Sequence, residues 1–313
     1  MIPTIEDVKA AAKRIEAMIV RTPLLRCDAL DEATGARVFV KAECLQRGGA
    51  FKMRGAANAI AALAPELRAR GVIAFSSGNH AIAVSAAARL FGIGATILMP
   101  TDAPRIKRET TRANGAKIVS FDRLRESREK IGARLSAESG ASLIKPFDDP
   151  WVIAGQGTAG LEIAEDIAPD IALAPASGGG LACGVALALP SARIFAVEPE
   201  GHDDIARTLK SGRIERNAPG IRSICDGLLV EQMGEITFAI ARERFAGAVA
   251  VSDDAVKRAM KFAFRHLKIV LEPSGAASLA AALEGGLDLK GKTVALIASG
   301  GNVDAELFAA ALG

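Results

Sequence analysis

Lys52 stands in Gly48-Gly49-Ala50-Phe51-Lys52-Met53-Arg54-Gly55-Ala56, a run rich in small residues directly ahead of a helical pattern. A primary amine in such surroundings can reach a bound carbonyl compound, because glycine and alanine leave room for a close approach. A lysine near a helix start is ordinarily a solvated surface group, and it is the company of Lys52 that gives it weight. Ser76-Ser77-Gly78-Asn79-His80, Ser177-Gly178-Gly179-Gly180-Leu181 and Ser299-Gly300-Gly301-Asn302 each fall where an apolar strand pattern gives way to a helix or loop. Together with the Lys52 loop, such turns suit one cofactor site carried on a rigid frame.

The elements that must position them follow from periodicity. Thr4 followed by Glu6 and Asp7 marks a helix start with acids in its first turn, leading into helical spacing over 8–18. A strand is expected at 37–41. Beyond Lys52 the pattern alternates: helix 54–63, strand 71–76, helix 80–91, strand 95–99, helix 103–113, strand 117–121, helix 123–138 and strand 142–146. The second half continues with strands at 171–174, 194–197, 248–251 and 294–297 between helical stretches. Strand–helix alternation of this kind means crossover units and parallel sheets, an α/β protein.

Composition narrows the class. A chain of 313 residues exceeds the size at which one core stops growing, so two domains are expected. Half of the residues are apolar but only 4% are aromatic and none is tyrosine, which leaves Ala, Val, Ile and Leu to build the core, as in buried parallel strands. The balance of 39 Lys and Arg against 36 Asp and Glu gives +3 and no strong field; the densest basic run, Arg105-Ile106-Lys107-Arg108, reads as one solvated helix face, and no nucleic-acid partner is expected. Cys27, Cys44, Cys183 and Cys225 are widely spaced and form no C-x-x-C pair, which points to reduced thiols in the cytoplasm. The N-terminus lacks the pattern of a signal peptide and no run of about 18 uncharged apolar residues exists, so neither secretion nor a membrane partner is expected.

Further motifs complete an ordered set: Pro23-Leu24, Pro146-Phe147-Asp148-Asp149-Pro150, Ile153-Ala154-Gly155-Gln156-Gly157-Thr158 and Glu272-Pro273-Ser274-Gly275-Ala276. In this order and spacing, over nearly the whole chain, the sequence resembles the fold-type II pyridoxal-phosphate (PLP) enzymes, in the threonine/serine dehydratase and serine racemase branch. The resemblance implies a two-domain, tryptophan synthase beta-like fold of parallel sheets flanked by helices. A small domain, 46–142, would be inserted into a large one formed by 1–45 and 143–313, with the cofactor between them and a homodimer as the assembly.

It also implies roles, residue by residue. Lys52 would hold PLP as an imine, its amine made neutral by desolvation. Residues Ser177, Gly178, Gly179, Gly180 and Leu181 would cradle the phosphate on backbone N–H groups at a helix start. Phe51 would pack against one face of the cofactor ring, Asn79 would meet the ring hydroxyl oxygen and Ser299 the pyridine nitrogen. A serine there, unlike a carboxylate, gives the nitrogen little reason to hold a proton, which favours β-elimination over routes that accumulate a carbanion. Ser76, Ser77, Gly78, Asn79 and His80 would line the substrate site. Ser77 matches the serine that faces the substrate Cα opposite the lysine, an arrangement that permits racemisation. Glu198 and Asp204, with the carbonyl of His202, resemble a divalent-cation site for Mg2+, Ca2+ or Mn2+; zinc is not expected. Arg128 roughly matches an arginine near the substrate side chain, and a surface position is its alternative.

The resulting expectation is a PLP-dependent ammonia-lyase dehydrating a 3-hydroxy amino acid to a 2-oxo acid and ammonia. L-Serine and L-threonine are the default substrates and 3-hydroxyaspartate stands behind them, because Ala50 replaces the family's serine or threonine and Ile82 its glutamine. A serine or aspartate racemase is the alternative, and a catalytically silent regulator is a third reading against which Lys52 and the intact phosphate turn both speak. Gly155-Gln156-Gly157-Thr158-Ala159-Gly160 fits G-x-G-x-x-G, but Pro150 precedes it and no acid follows about 20 residues on, so NAD binding is rejected. With the chain ending at Gly313, the C-terminal regulatory domain of biosynthetic threonine dehydratases is not expected.

Overall fold

The alternating pattern folds into two sheets in the computed structural model, which describes residues 1–122, 125–284 and 286–313, the side chains of residues 128 and 129 lying outside that description. The strands are β1 (Leu24–Leu25), β2 (Arg37–Lys41), β3 (Val72–Phe75), β4 (Ala95–Pro100), β5 (Lys117–Phe121), β6 (Ser142–Leu143), β7 (Ile171–Pro175), β8 (Arg193–Pro199), β9 (Phe245–Val251) and β10 (Thr293–Ile297). A six-stranded sheet runs β1-β2-β10-β7-β8-β9 and a four-stranded sheet β5-β4-β3-β6. Every pairing is parallel except β1 with β2.

Both faces of the larger sheet are covered. Along β7 and β10, Ile171, Leu173, Val294 and Leu296 join one core cluster, while Ala172, Ala174, Ala295 and Ile297 join the cluster on the opposite face. Period-two alternation thus feeds two apolar layers, which is why these strands read as continuous apolar runs. The smaller sheet packs Val72, Ala74, Ile97 and Met99 against Met53, Ala56 and Ile60 of the helix Lys52–Ala62. Among the described residues no helix is long and apolar enough to cross a membrane.

Three local expectations change. The strand expected over 142–146 ends at Leu143, because Pro146 has no N–H to continue a ladder. The helix expected over 123–138 spans Arg128–Ser139, with Ser127 as N-cap accepting from Lys130 N at 3.2 Å. The G-x-G-x-x-G segment is no strand-to-helix turn: it lies inside the helix Pro150–Asp166. Its glycines permit close helix packing, and a Cβ on Gly157 would stand 2.7 Å from the Gly184 carbonyl. Nor is the 105–108 run wholly a solvated face: Arg105 is exposed, but Lys107 is not. Lys107, on the helix Arg105–Ala113, is 2% exposed and pairs with Asp226 and Glu272 across to the unit that carries the larger sheet. Carboxylates brought from distant parts of the chain make its burial tolerable.

Candidate active site

Lys52 opens its helix, and the first turn is fixed from below by Arg54. That guanidinium is wholly buried and meets Glu43 through Nε and Nη2, each at 2.8 Å, and Glu162 through Nη1 at 2.6 Å and Nη2 at 2.9 Å. Lys52 itself stays partly accessible. Its Nζ donates to the Pro146 carbonyl at 2.6 Å and lies 5.1 Å from the Phe51 ring centre. No carboxylate offsets its desolvation, and burial lowers its pKa to about 8.

The turns singled out by sequence converge on this lysine. Phe51 N donates to the Ser299 carbonyl at 3.0 Å, Gly301 N to the Gly49 carbonyl at 2.9 Å, and Ala50 bridges Gly300. Asn302 Nδ2 reaches both the Gly48 carbonyl at 2.8 Å and Asn79 Oδ1 at 2.9 Å, while Asn79 Nδ2 donates to Glu272 Oε1. Pro146 and Phe147 complete the ring of contacts. The carbonyl of the first holds Lys52, and the side chain of the second packs where a Cβ on Gly178 would collide with it and one on Gly180 would stand 3.1 Å away.

Residues 177–181 follow β7 and open the helix Gly180–Ala188, whose start has no side-chain cap. Gly179 takes φ +89, a left-handed conformation costly for a side chain, which turns the backbone into the helix. Uncapped N–H groups at a helix start suit a phosphate, and a desolvated lysine amine suits an aldehyde; the residues present therefore fit PLP. Ser177 Oγ accepts from Val230 N at 2.9 Å, so this side chain is tied to the neighbouring loop and the backbone is what the turn offers an anion.

In the 76–79 turn, Ser76 Oγ accepts from Gly78 N at 3.0 Å and Ser77 is half-buried. His80 is buried, with Nε2 on the Ile144 carbonyl at 2.9 Å, and burial reinforced by the nearby Lys52 charge lowers its pKa to about 3. It is a neutral imidazole. Ser299 is buried, its Oγ donating to the Ser274 carbonyl at 3.5 Å. Ala50 and Ile82, the two departures, are both buried; a Cβ on Gly48 would stand 3.2 Å from Ile82 Cγ2.

The residues expected to hold a cation are hydrogen-bonded within the protein. Glu198 accepts from Ile205 N and Ala206 N, both at 2.9 Å, and Asp204 from Asn217 Nδ2 at 2.7 Å and Met233 N at 3.0 Å. His202 Nε2 lies 3.2 Å from the Ile221 carbonyl. Burial pushes Glu198 up to about 8 and Asp204 up to about 6. Among the described residues no three His, Cys, Asp or Glu side chains are gathered for a metal, and a cation held by Glu198, Asp204, the His202 carbonyl and water would share carboxylate oxygens that already accept hydrogen bonds. The side chain of Arg128 lies outside the described residues.

Several residues of the site carried no assigned role in the sequence. Pro146 acts through a backbone carbonyl, which leaves no signature in residue type. Phe147 and Glu272 were visible only as members of motifs, and Asn302 only as the end of a glycine turn. Lys107 was hidden in a basic run.

Two largely parallel sheets with loop tips meeting at a lysine whose pKa is brought down to about 8 describe a cofactor enzyme that works on amines and carbonyls. Residues 15–300 match the family described as pyridoxal-phosphate dependent enzymes, and the chain belongs to it. It is 44% identical to an L-threo-3-hydroxyaspartate ammonia-lyase of Saccharomyces cerevisiae, over 99% of this chain and 96% of that one. A second L-threo-3-hydroxyaspartate ammonia-lyase, from a Pseudomonas species, is 43% identical over 98% of this chain and 97% of its own. The solved structure of maize serine racemase superposes with a TM-score of 0.94 at 40% identity, covering 100% of this chain and 97% of that one.

Proposed function

We propose that this protein is a PLP-dependent ammonia-lyase for 3-hydroxy amino acids, with L-threo-3-hydroxyaspartate the foremost substrate and L-serine and L-threonine behind it. Convergence of the Lys52 loop with the 76–79, 177–181 and 299–302 turns supports the activity. Similarity to ammonia-lyases of that substrate supports the order of substrates. The net reaction takes 3-hydroxyaspartate to oxaloacetate and ammonia.

PLP, when bound, supplies the electron sink that makes the substrate Cα–H acidic. Lys52 would hold the cofactor at rest and then act as the base on Cα, with the Pro146 carbonyl to hold its released amine. The 177–181 turn would anchor the phosphate. Ser299 would face the ring nitrogen without forcing a proton onto it, and the 76–79 turn would receive the substrate carboxylate. The same reading divides the chain at 46–142, supported by a four-stranded sheet whose strands run from Val72 to Leu143, one residue past that boundary. A homodimer, testable by sedimentation, and a cytoplasmic location belong to it as well.

The deciding assay supplies PLP-loaded protein with L- and D-serine, L-threonine and both 3-hydroxyaspartate diastereomers, following 2-oxo acid and enantiomer together. Oxo acid formed fastest from L-threo-3-hydroxyaspartate is the expected result. Ser77 in the 76–79 turn favours one second reading, a racemase; enantiomer without oxo acid would replace the lyase with it. Neither product would remove both.

A further inference from the structure

Lys107 is a buried cation with no part in the chemistry above. It sits on the helix Arg105–Ala113, beside the four-stranded sheet, and both of its partners belong to the other unit: Asp226 Oδ2 at 2.7 Å and Glu272 Oε2 at 2.9 Å. Its ammonium also lies against the 76–79 turn, since a Cβ on Gly78 would stand 3.6 Å from Lys107 Nζ. The second oxygen of Glu272 accepts from Asn79 Nδ2, and Asn79 Oδ1 accepts from Asn302. One chain of bonds therefore runs from Lys107 through Glu272, Asn79 and Asn302 to the Gly48 carbonyl, four residues before Lys52.

We propose that Lys107 is a positioning residue for substrate: with Glu272 it clamps the 76–79 turn in the shape that receives the substrate carboxylate, and through Asp226 it latches the two sheet units together. The two halves of the clamp differ in permanence. Glu272 is 1% exposed, whereas the Asp226 side chain is 36% exposed. Water can compete for Asp226 but not for Glu272, so the Glu272 half is fixed and the Asp226 half is the one that opens. Without the ammonium, Glu272 would be a buried carboxylate whose remaining side-chain partner is Asn79, and the amide that ends the turn would lose its fixed acceptor.

This inference rests on the reading of 76–79 as the carboxylate site, and its test separates the two. PLP-loaded wild type, Lys107→Met, Lys107→Arg and Asp226→Asn are titrated with L-alanine, which has no β-leaving group, and binding is read from the cofactor absorbance. The expected result is about tenfold weaker L-alanine binding in Lys107→Met, with the cofactor still bound and its starting band shifted, because Asn79 would also meet the ring hydroxyl. Lys107→Arg should restore most of it, and Asp226→Asn should lose about threefold. With the preferred hydroxy amino acid the same variants should raise KM by these factors while kcat moves less than about threefold. Wild-type L-alanine binding in Asp226→Asn and in folded Lys107→Met overturns the proposal, whatever reaction the enzyme catalyses. So does a loss of thermal stability in which binding does not change. Asp226, on the surface, keeps the test open if Lys107→Met does not fold. Absence of lyase turnover alongside the expected binding losses would remove the substrate reading and leave the clamp standing.

Discussion

Lys52 and Arg54 lie two residues apart in the same helical turn and are opposites as cations. Arg54 is enclosed by Glu43 and Glu162; burial alone would lower its pKa, but the paired carboxylates raise it above the ordinary arginine value. Lys52 meets no carboxylate among the described residues, only the Pro146 carbonyl and the Phe51 ring, and burial lowers its pKa to about 8. Desolvation is thus common to both, complete for Arg54 and partial for Lys52, and the presence or absence of a carboxylate decides what the cation is for. A locked charge fixes the turn, while an uncompensated one leaves an amine that is neutral often enough to react. Lys41 lies between these extremes. It pairs with Glu162, yet burial lowers its pKa by more than that carboxylate raises it, and the nearby Arg54 charge lowers it further.

Removing the reactive member gives the largest effect. Lys52→Ala should lower kcat by about 10^3-fold or more and abolish the cofactor's characteristic bound absorbance, while leaving thermal stability equal or higher, since an uncompensated buried amine is lost. A folded Lys52→Ala that kept activity would dissolve the contrast. Arg54→Met should do the converse. Two buried carboxylates lose their shared partner, and urea denaturation should show a loss of about 3–5 kcal/mol. Activity per folded molecule should fall as well, though far less than in Lys52→Ala, because the turn that carries Lys52 loses its anchor.

Much of this was legible in sequence, and for identifiable reasons. Lys52, the 177–181 turn and the 299–302 turn announce themselves through small residues at strand ends, and β7 and β10 through unbroken apolar runs. G-x-G-x-x-G could be set aside because its flanks were wrong for a nucleotide loop, and in the fold it serves helix packing. What was not legible depends on partners far away in the chain. Lys107 looks solvated in Arg105-Ile106-Lys107-Arg108 because nothing nearby tells that Asp226 and Glu272 will close over it. The end of the strand at Leu143 frees the Ile144 and Pro146 carbonyls for His80 and Lys52, and a backbone acceptor has no residue type by which to be found.

Protonation sharpens the comparison with a smaller effect. Because the folded pKa of Lys52 is depressed to about 8, its neutral fraction grows as pH rises through that value and not near the ordinary lysine value of 10.5. PLP uptake by the cofactor-free protein should accelerate roughly tenfold per pH unit below 8 and level off above it. A rate still climbing at the same slope near pH 10 would mean that Lys52 is solvated like any surface lysine. The smallest effect belongs to Lys41→Met. Lys41 donates to Glu162 and to the Thr22 carbonyl, but Glu162 keeps two bonds from Arg54 when Lys41 is gone, and the methionine fills the buried space. The cost should be about 2 kcal/mol in urea denaturation, less than that of Arg54→Met, with cofactor absorbance and KM unchanged. If Lys41→Met instead cost as much as Arg54→Met, the locked charge would belong to the cluster as a whole, and Arg54 could no longer be singled out as the residue that fixes the turn bearing Lys52.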